Sequence, residues 1–310
     1  MSTVARVISP PVFETIDSYG SRLGDVAYWR PYVEAALASS GLSDGEMVSG
    51  FVGTYPTFVG ERLVVKLFGC FPGWRESADA EVAANRAIEN DDGISAPKIV
   101  ALGSLFPGDQ EGWPFVIMER QHGRAWREAE PGAEAAGSVA SQLGGQIRRL
   151  HDLETAHPLD REDWIAAQGE NAAERHRTWA SLPAHLIDQI PTYLGHYRGG
   201  RRCLVHGDLT EDHLFVSGDR LLGIIDWGDA MITDPFYELG ALHLGAFAGD
   251  RRLLGRFLTG YGWRLDEDFA DHALQVALMH EFDLFGSIAR RAQAARSLAA
   301  LATDVWTPMF

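Results

Sequence analysis

The chain contains the stretch Leu204-Val205-His206-Gly207-Asp208-Leu209-Thr210-Glu211-Asp212-His213-Leu214-Phe215-Val216. A second stretch follows, Ile224-Ile225-Asp226-Trp227-Gly228-Asp229, with Asp226 thirteen residues beyond His213. Short apolar runs flank a polar loop, and each run leads to an aspartate. The pattern predicts a hairpin-like loop between strands that presents Asp208 and Asp226 into one cleft. The competing reading is two aspartates that only cap turns.

Outward from this stretch the chain is mostly helical. Val139, Leu143, Ile147 and Leu150 form a stripe at helical spacing. His151 closes that stripe and reads as a core or helix-end residue rather than a base. Residues 152–200 carry Trp164, Trp179, Tyr193 and Tyr197 among charges, with Pro183 and Pro191, and read as helices and loops suited to a substrate region. Gly199-Gly200 leads into the strand before His206. Downstream, Asp234 is an N-cap candidate and Pro235 fits a first helical turn. Helices are expected over 241–247, 251–261, 269–288 and 289–302. Within 269–288, Glu281 and Asp283 interrupt an apolar surface, as candidates for binding ammonium groups or as a solvated face.

The N-terminal third changes character. Residues 1–24 hold Pro10-Pro11 with scattered Gly and Ser and read as an extended arm. Val26, Trp29, Tyr32, Val33 and Leu37 predict an amphipathic helix over 25–40, closed by Gly41. Strands are expected over 47–51, 57–59 and 63–68, joined by Gly53-Thr54-Tyr55-Pro56 and Gly60-Glu61. Lys66 lies within the apolar run Val64-Val65-Lys66-Leu67-Phe68, where an unpartnered ammonium would be costly. The helix predicted over 76–89 offers Glu81 as its partner, with Glu76 as the alternative. Two further strands, 97–102 and 115–118, lead to Glu119-Arg120-Gln121-His122-Gly123, where the boundary between two lobes is placed at 120/121.

Composition narrows the function classes. The 310 residues are 46% hydrophobic and 23% charged, the balance of a soluble globular protein. A net charge of −16 argues against nucleic acid or an anionic membrane as the main partner and suits a cationic substrate. Cys70 and Cys203 have no metal-ligand spacing and suggest no disulfide framework. No apolar run approaches the ~20 residues of a membrane span. Residues 1–11 lack a basic segment followed by an apolar core, so a cytoplasmic monomer is expected. Of the 27 basic residues only Lys66 and Lys98 are lysine, which suggests that position 66 needs a compact ammonium.

His206-Gly207-Asp208 and Asp226, in this order and spacing, resemble the catalytic loop and metal-binding aspartate of protein-kinase-like enzymes, above all the aminoglycoside phosphotransferases. The resemblance runs from about Asp17 to the C-terminus. It is strongest at 64–69, 205–216, 223–226 and 242–250, and is most similar to hygromycin B phosphotransferases acting on the 7″-hydroxyl. It implies an α+β, two-lobed, kinase-like fold with a five-stranded antiparallel N-lobe sheet (1–120) and a mostly helical C-lobe (121–310). It further implies that ATP, with GTP as an alternative, binds with Mg²⁺. Gly53 and Thr54 would then lie over the phosphates, Lys66 would contact them and be held by Glu81, and Met118, Glu119 and Gln121 would form the adenine-binding hinge. Asp208 would accept the substrate hydroxyl proton, and Asp226 with His213 would hold metal. Asp229, Glu238, Glu281 and Asp283 would face a cationic aminoglycoside, and antibiotic resistance is the expected outcome. His213 departs from the family pattern, which has Asn five residues after the catalytic Asp; Mg²⁺ prefers oxygen ligands to imidazole. Two rivals share these residues. One is a kinase for choline, a sugar or an amino alcohol, and the other is a nucleotide-binding scaffold without turnover.

Overall fold

A computed structural model describes residues 8–106, 112–154, 159–160 and 164–310. The chain divides into two compact units, Met1–Asn85 with Pro97–Gln121, and Arg86–Ala96 with His122–Phe310.

The first unit is built on an antiparallel sheet of β1 (Val48–Ser49), β2 (Thr57–Val59), β3 (Leu63–Leu67), β4 (Ile99–Leu105) and β5 (Trp113–Glu119), in the order β1-β2-β3-β5-β4. Alternation along each strand sorts its side chains between two cores. Val65, Leu67, Phe58, Phe115 and Ile117 pack with Trp29, Val33 and Leu37 of α2 (Val26–Ser39), whose predicted apolar stripe lies on this face. Val64, Val116, Met118 and Phe68 pack on the opposite side with Trp74, Ala78 and Val82 of α3 (Trp74–Ile88). The same alternation turns Lys66 toward α3.

The expected extended arm is partly helical. Residues 1–7 lie outside the described residues, and Ile16–Gly20 forms a short helix, α1, because Thr15 and Ser18 make a reciprocal capping box. The predicted first strand, 47–51, contracts to β1. The predicted strand 97–102 shifts to Ile99–Leu105 and so takes in the start of the expected connection; 107–111 of that connection lie outside the described residues.

The second unit contains α4 (Trp126–Ala129), α5 (Ala133–Asp152), α6 (Trp164–Trp179), α7 (Ala184–Ile187), α8 (Ile190–Leu194) and α9 (Phe236–Gly240). A π-helical turn, Ala241–Ala246, follows, then α10 (Arg251–Tyr261), α11 (Phe269–Leu278), a 3₁₀ turn Phe285–Ile288, α12 (Ala289–Ala294) and α13 (Leu298–Trp306). Within residues 152–200, positions 155–158 and 161–163 are not described. Val139, Leu143, Ile147 and Leu150 are fully buried along α5, and His151 is a core residue at its end.

Three expectations about this unit are corrected. The apolar runs around His206 do not share a sheet: β7 (Cys203–Val205) pairs with β10 (Met231–Thr233), whereas β8 (Leu214–Ser217) pairs with β9 (Arg220–Ile224) and β6 (Arg124–Ala125). The single helix expected over 269–288 ends at Leu278. Beyond it the His280 ring nitrogen Nδ1 accepts the Phe282 N–H, and Asp283 accepts the Phe285 N–H, so side chains take donors that a helix would use. The helix expected over 289–302 breaks at Ala295, whose backbone is extended, and restarts where Ser297 caps α13.

Two glycines set the contact between α5 and α10. A Cβ on Gly144 would stand 2.2 Å from the Phe257 carbonyl oxygen, and one on Gly260 would stand 2.0 Å from that of Ser141. In an exposed helix Gly→Ala gains about 1 kcal/mol. Here overpacking against backbone outweighs it, so Gly144→Ala or Gly260→Ala should lower stability by about 1–3 kcal/mol. A fall in the urea midpoint at unchanged m-value checks this.

Candidate active site

In the first unit Lys66 is 5% exposed and Glu81 is 1% exposed. The Lys66 ammonium donates to Glu81 Oε2 at 2.8 Å and lies 5.1 Å from the centroid of the Phe68 ring. Asn85 Nδ2 donates to the Glu81 carbonyl oxygen at 2.8 Å, one turn along α3. Glu81, rather than Glu76, is therefore the partner of Lys66. Gly53 and Thr54 lie in an exposed turn that is tied by the Tyr19 hydroxyl, which donates to the Thr54 carbonyl at 2.8 Å. A Cβ on Gly53 would meet nothing within 4 Å, so no close approach within the fold demands glycine there. Met118 is buried against α3, and Glu119 is exposed at the end of β5. The backbone N–H groups of Glu119 and Arg120 are already bonded, to the carbonyls of Lys98 and Arg62, and Gln121 follows them at the end of the unit.

In the second unit the loop after β7 carries Asp208. His206 is fully buried, and burial lowers its pKa to about 4, so the ring is neutral. The Ile225 carbonyl, 2.9 Å from Nε2, can only accept, so Nε2 carries the proton. Nδ1 then accepts the Asp208 N–H at 3.2 Å. One imidazole thus joins the backbone of Asp208 to the residue before Asp226. Trp227 packs on that ring at 4.6 Å between centroids, and its indole N–H donates to the Ile224 carbonyl. Asp226 itself has φ +64°, a left-handed conformation that costs on the order of 1–3 kcal/mol.

His213 closes the group. Its Nδ1 donates to the Asp208 carbonyl at 2.7 Å, and its Nε2 stands 3.6 Å from Asp226 Oδ2. A ring nitrogen and a carboxylate oxygen at that spacing suit a shared cation. Among the described residues no group of three or more His, Cys, Asp or Glu side chains could hold a metal ion, so this pair would need other ligands. Asp208 Oδ2 is 3.5 Å from His213 Nδ1. Burial raises the Asp208 pKa; His213 opposes that rise and the Asp226 charge adds to it.

Gly207 is required at its position. Its φ is +88°, and a Cβ there would stand 2.4 Å from the Asp229 carbonyl oxygen. Asp229 therefore supports the loop through its backbone and keeps a half-buried side chain. Glu238, expected to face the substrate, is buried at 1% exposure, and its Oε2 accepts the His206 N–H at 2.7 Å. Asp234 is buried and lies one residue before the N-cap of α9, which is Pro235; its carboxylate accepts the Phe236 N–H as well as the Tyr197 hydroxyl and bonds His272. Glu281 and Asp283 lie on the irregular segment after α11, not on a helix. Glu281 Oε1 stands 3.5 Å from the Tyr237 hydroxyl, and Asp283 receives the Ser181 hydroxyl at 2.7 Å. The sequence reading missed Arg127, whose guanidinium reaches Glu211 and Asp212; these partners are 84 and 85 residues away and leave no local pattern. The role of His206 is not legible in its motif, because its acceptor, the Ile225 carbonyl, lies 19 residues on and is brought to it by the fold.

A five-stranded antiparallel sheet in one unit and a mainly helical second unit carrying this aspartate pair define the kinase-like fold of the aminoglycoside phosphotransferases. Residues 53–274 match the phosphotransferase enzyme family, and the chain belongs to it. Viomycin phosphotransferase of Streptomyces vinaceus is 27% identical over 253 residues, covering 73% of this chain and 83% of that protein. Lysine-specific demethylase JMJ21 of Arabidopsis thaliana is 22% identical over 230 residues, 57% of this chain; the match spans only 24% of that longer protein. The solved GDP complex of wild-type aminoglycoside 2′-phosphotransferase-IIIa superposes with a TM-score of 0.62 at 20% identity, covering 90% of this chain and 98% of that one. That likeness is one of fold. Among the described residues no helix is long and apolar enough to cross a membrane.

Removing one partner of a buried ion pair leaves an uncompensated charge, at about 3–5 kcal/mol. Glu81→Ala should therefore destabilise the protein by roughly that amount. Glu81→Leu combined with Lys66→Met should cost clearly less, and urea denaturation of the three proteins measures the difference.

Proposed function

We propose that this protein transfers the γ-phosphoryl group of ATP to a hydroxyl of an aminoglycoside, hygromycin B foremost, and so confers resistance to it. The observation that carries the reading is the arrangement of Asp208, His213 and Asp226 around one loop, in a chain of the phosphotransferase family. Its substrate class is supported by the net charge of −16 and by the similarity to viomycin phosphotransferase and an aminoglycoside phosphotransferase. Lys66, fixed by Glu81, binds the nucleotide phosphates, and a turn at Gly53-Thr54 lies over them. The segment from Met118 to Gln121 receives the adenine.

Asp208 orients the acceptor hydroxyl and takes its proton as the phosphoryl group moves in line. His206 sets the position of that carboxylate through the Asp208 N–H. Partial burial reduces solvation of the carboxylate and raises its pKa, which makes it a stronger base toward a hydroxyl held against it. Asp226 and the Nε2 of His213 would hold Mg²⁺, with phosphate and water oxygens completing its shell. A divalent cation there, when bound, neutralises charge on the phosphates. Glu281 and Asp283 remain candidates for the ammonium groups of the substrate. GTP in place of ATP is the variant to compare, because the similar structure is a GDP complex.

Bacteria expressing the chain should survive hygromycin B or another aminoglycoside, and Asp208→Asn should abolish that survival. The variant should fold and bind ATP normally but lose roughly 10²-fold or more in kcat, the contribution of a general base. Turnover of choline, a sugar or an amino alcohol in the purified assay, with none of any aminoglycoside, would replace the acceptor. ATP binding without turnover of any hydroxylated acceptor would leave a scaffold.

A nitrogen ligand favours Mn²⁺ over Mg²⁺ more than an amide oxygen does. His213→Asn should retain turnover while lowering the ratio of Mn²⁺-supported to Mg²⁺-supported kcat/KM. An unchanged ratio removes His213 from the metal site.

A further inference from the structure

The tip of the loop that carries Asp208 is held from outside by one side chain. Arg127 Nε donates to Asp212 Oδ1 at 2.7 Å and its Nη2 to Asp212 Oδ2 at 2.9 Å, a forked pair of bonds. The same Nη2 lies 2.8 Å from Glu211 Oε1, and the Arg127 backbone N–H donates to the Glu211 carbonyl at 3.1 Å. Among the described residues, the bonds that reach Glu211 and Asp212 from beyond the loop all come from Arg127.

The element that presents Arg127 is itself fixed. Residues Arg124 and Ala125 of β6 pair with Val216 and Phe215 of β8, the strand that the loop runs into. Trp126 is buried and packs against Phe247, 5.9 Å between ring centroids. Across the loop, Gly245 of the π-helical turn comes close enough that a Cβ there would be 3.6 Å from Glu211 Oε2 and 4.0 Å from Thr210 Cγ2. The loop is thus bounded by a small residue on one side and a forked cation on the other. The other backbone bonds in the loop are the Thr210 N–H to the Asp208 carbonyl and the His213 N–H to the Thr210 carbonyl, and just past the tip the Ile225 N–H reaches the His213 carbonyl at 3.0 Å.

We propose that Arg127 is a positioning residue for Asp208: by pinning Glu211 and Asp212 to α4 it holds the loop, and with it Asp208 and His213, in the geometry phosphoryl transfer needs. The role in transfer rests on the phosphotransferase reading above; the tether itself does not. The Arg127 side chain is 59% exposed, so the pairs add little to global stability. Their effect on the loop matters because Glu211 and Asp212 would otherwise be two uncompensated carboxylates close to the half-buried Asp208. Lysine could keep the charge but not the fork.

The test uses the full chain as wild type, Arg127→Ala and Arg127→Lys. Amide hydrogen exchange followed by mass spectrometry should show faster exchange over 209–214 in Arg127→Ala, with the melting temperature and exchange in α5 unchanged. With ATP, Mg²⁺ and hygromycin B, or whichever acceptor the wild type turns over, kcat should fall about tenfold or more, since a shift of about 1 Å in a reacting group can cost 10²-fold. The KM for ATP should stay the same, and Arg127→Lys should recover part of the loss. Unchanged exchange over 209–214 overturns the tether. Faster exchange with an unchanged kcat in an active enzyme overturns the positioning role. If the wild type turns over no acceptor, the phosphotransferase reading fails, and the exchange result still decides the tether.

Discussion

A buried neutral imidazole is the constraint on which the second unit's geometry depends. Burial of His206 favours partners on both ring nitrogens, because an unpaired polar atom there would cost about 1–3 kcal/mol. The fold meets that demand with the Asp208 N–H on one side and the Ile225 carbonyl on the other. Two segments of chain that lead to separate aspartates therefore share one ring as their spacer. Around it Glu238 takes the His206 N–H, Trp227 covers the ring, and Gly207 lets the loop pass against the Asp229 carbonyl. A positive φ at Asp226 is the local strain that this framework sustains.

The first unit solves a related problem with charge. Alternation along β3 sends Val65 and Leu67 into one core and Lys66 into the other, so the ammonium must be desolvated. Glu81 meets it at 2.8 Å, and Asn85 steadies that turn of α3. Packing on both faces of the sheet sets where Glu81 stands, and so fixes the lysine to a single position. A pair held this way contributes more to orientation than to stability, because the desolvation cost offsets most of the attraction.

The acidic residues show how far residue type alone can mislead. Glu238, Glu281 and Asp283 looked alike as carboxylates on helices near a substrate. Glu238 is wholly internal and braces a backbone N–H; Asp283 accepts the Phe285 N–H where a 3₁₀ turn begins; Glu281 stands by a tyrosine hydroxyl. The helix that was to carry the last two ends at Leu278, since His280 and Asp283 offer acceptors that compete with the helix ladder. Hydrophobic periodicity continued through that segment, and periodicity does not register side-chain acceptors.

Local sequence determined what depends on short-range chemistry. The stripe in α5, the helix over 26–39, the alternation that makes β3 a strand, and the two aspartates in polar turns are all written within a few residues of one another. His206-Gly207-Asp208 together with Asp226 indicated a kinase-like fold through their resemblance to the catalytic loop of that family, a pattern from which His213 departs. Only the tertiary structure decided that β7 pairs with β10 while β8 pairs with β9, and that Arg127 reaches across 85 residues to the loop tip. It also decided that the ring of His206 donates to Ile225, and that a carboxylate at 238 lies inside the protein. These are contacts between segments distant along the chain. They follow from which surfaces are buried together, and no window of sequence holds both halves of such a pair.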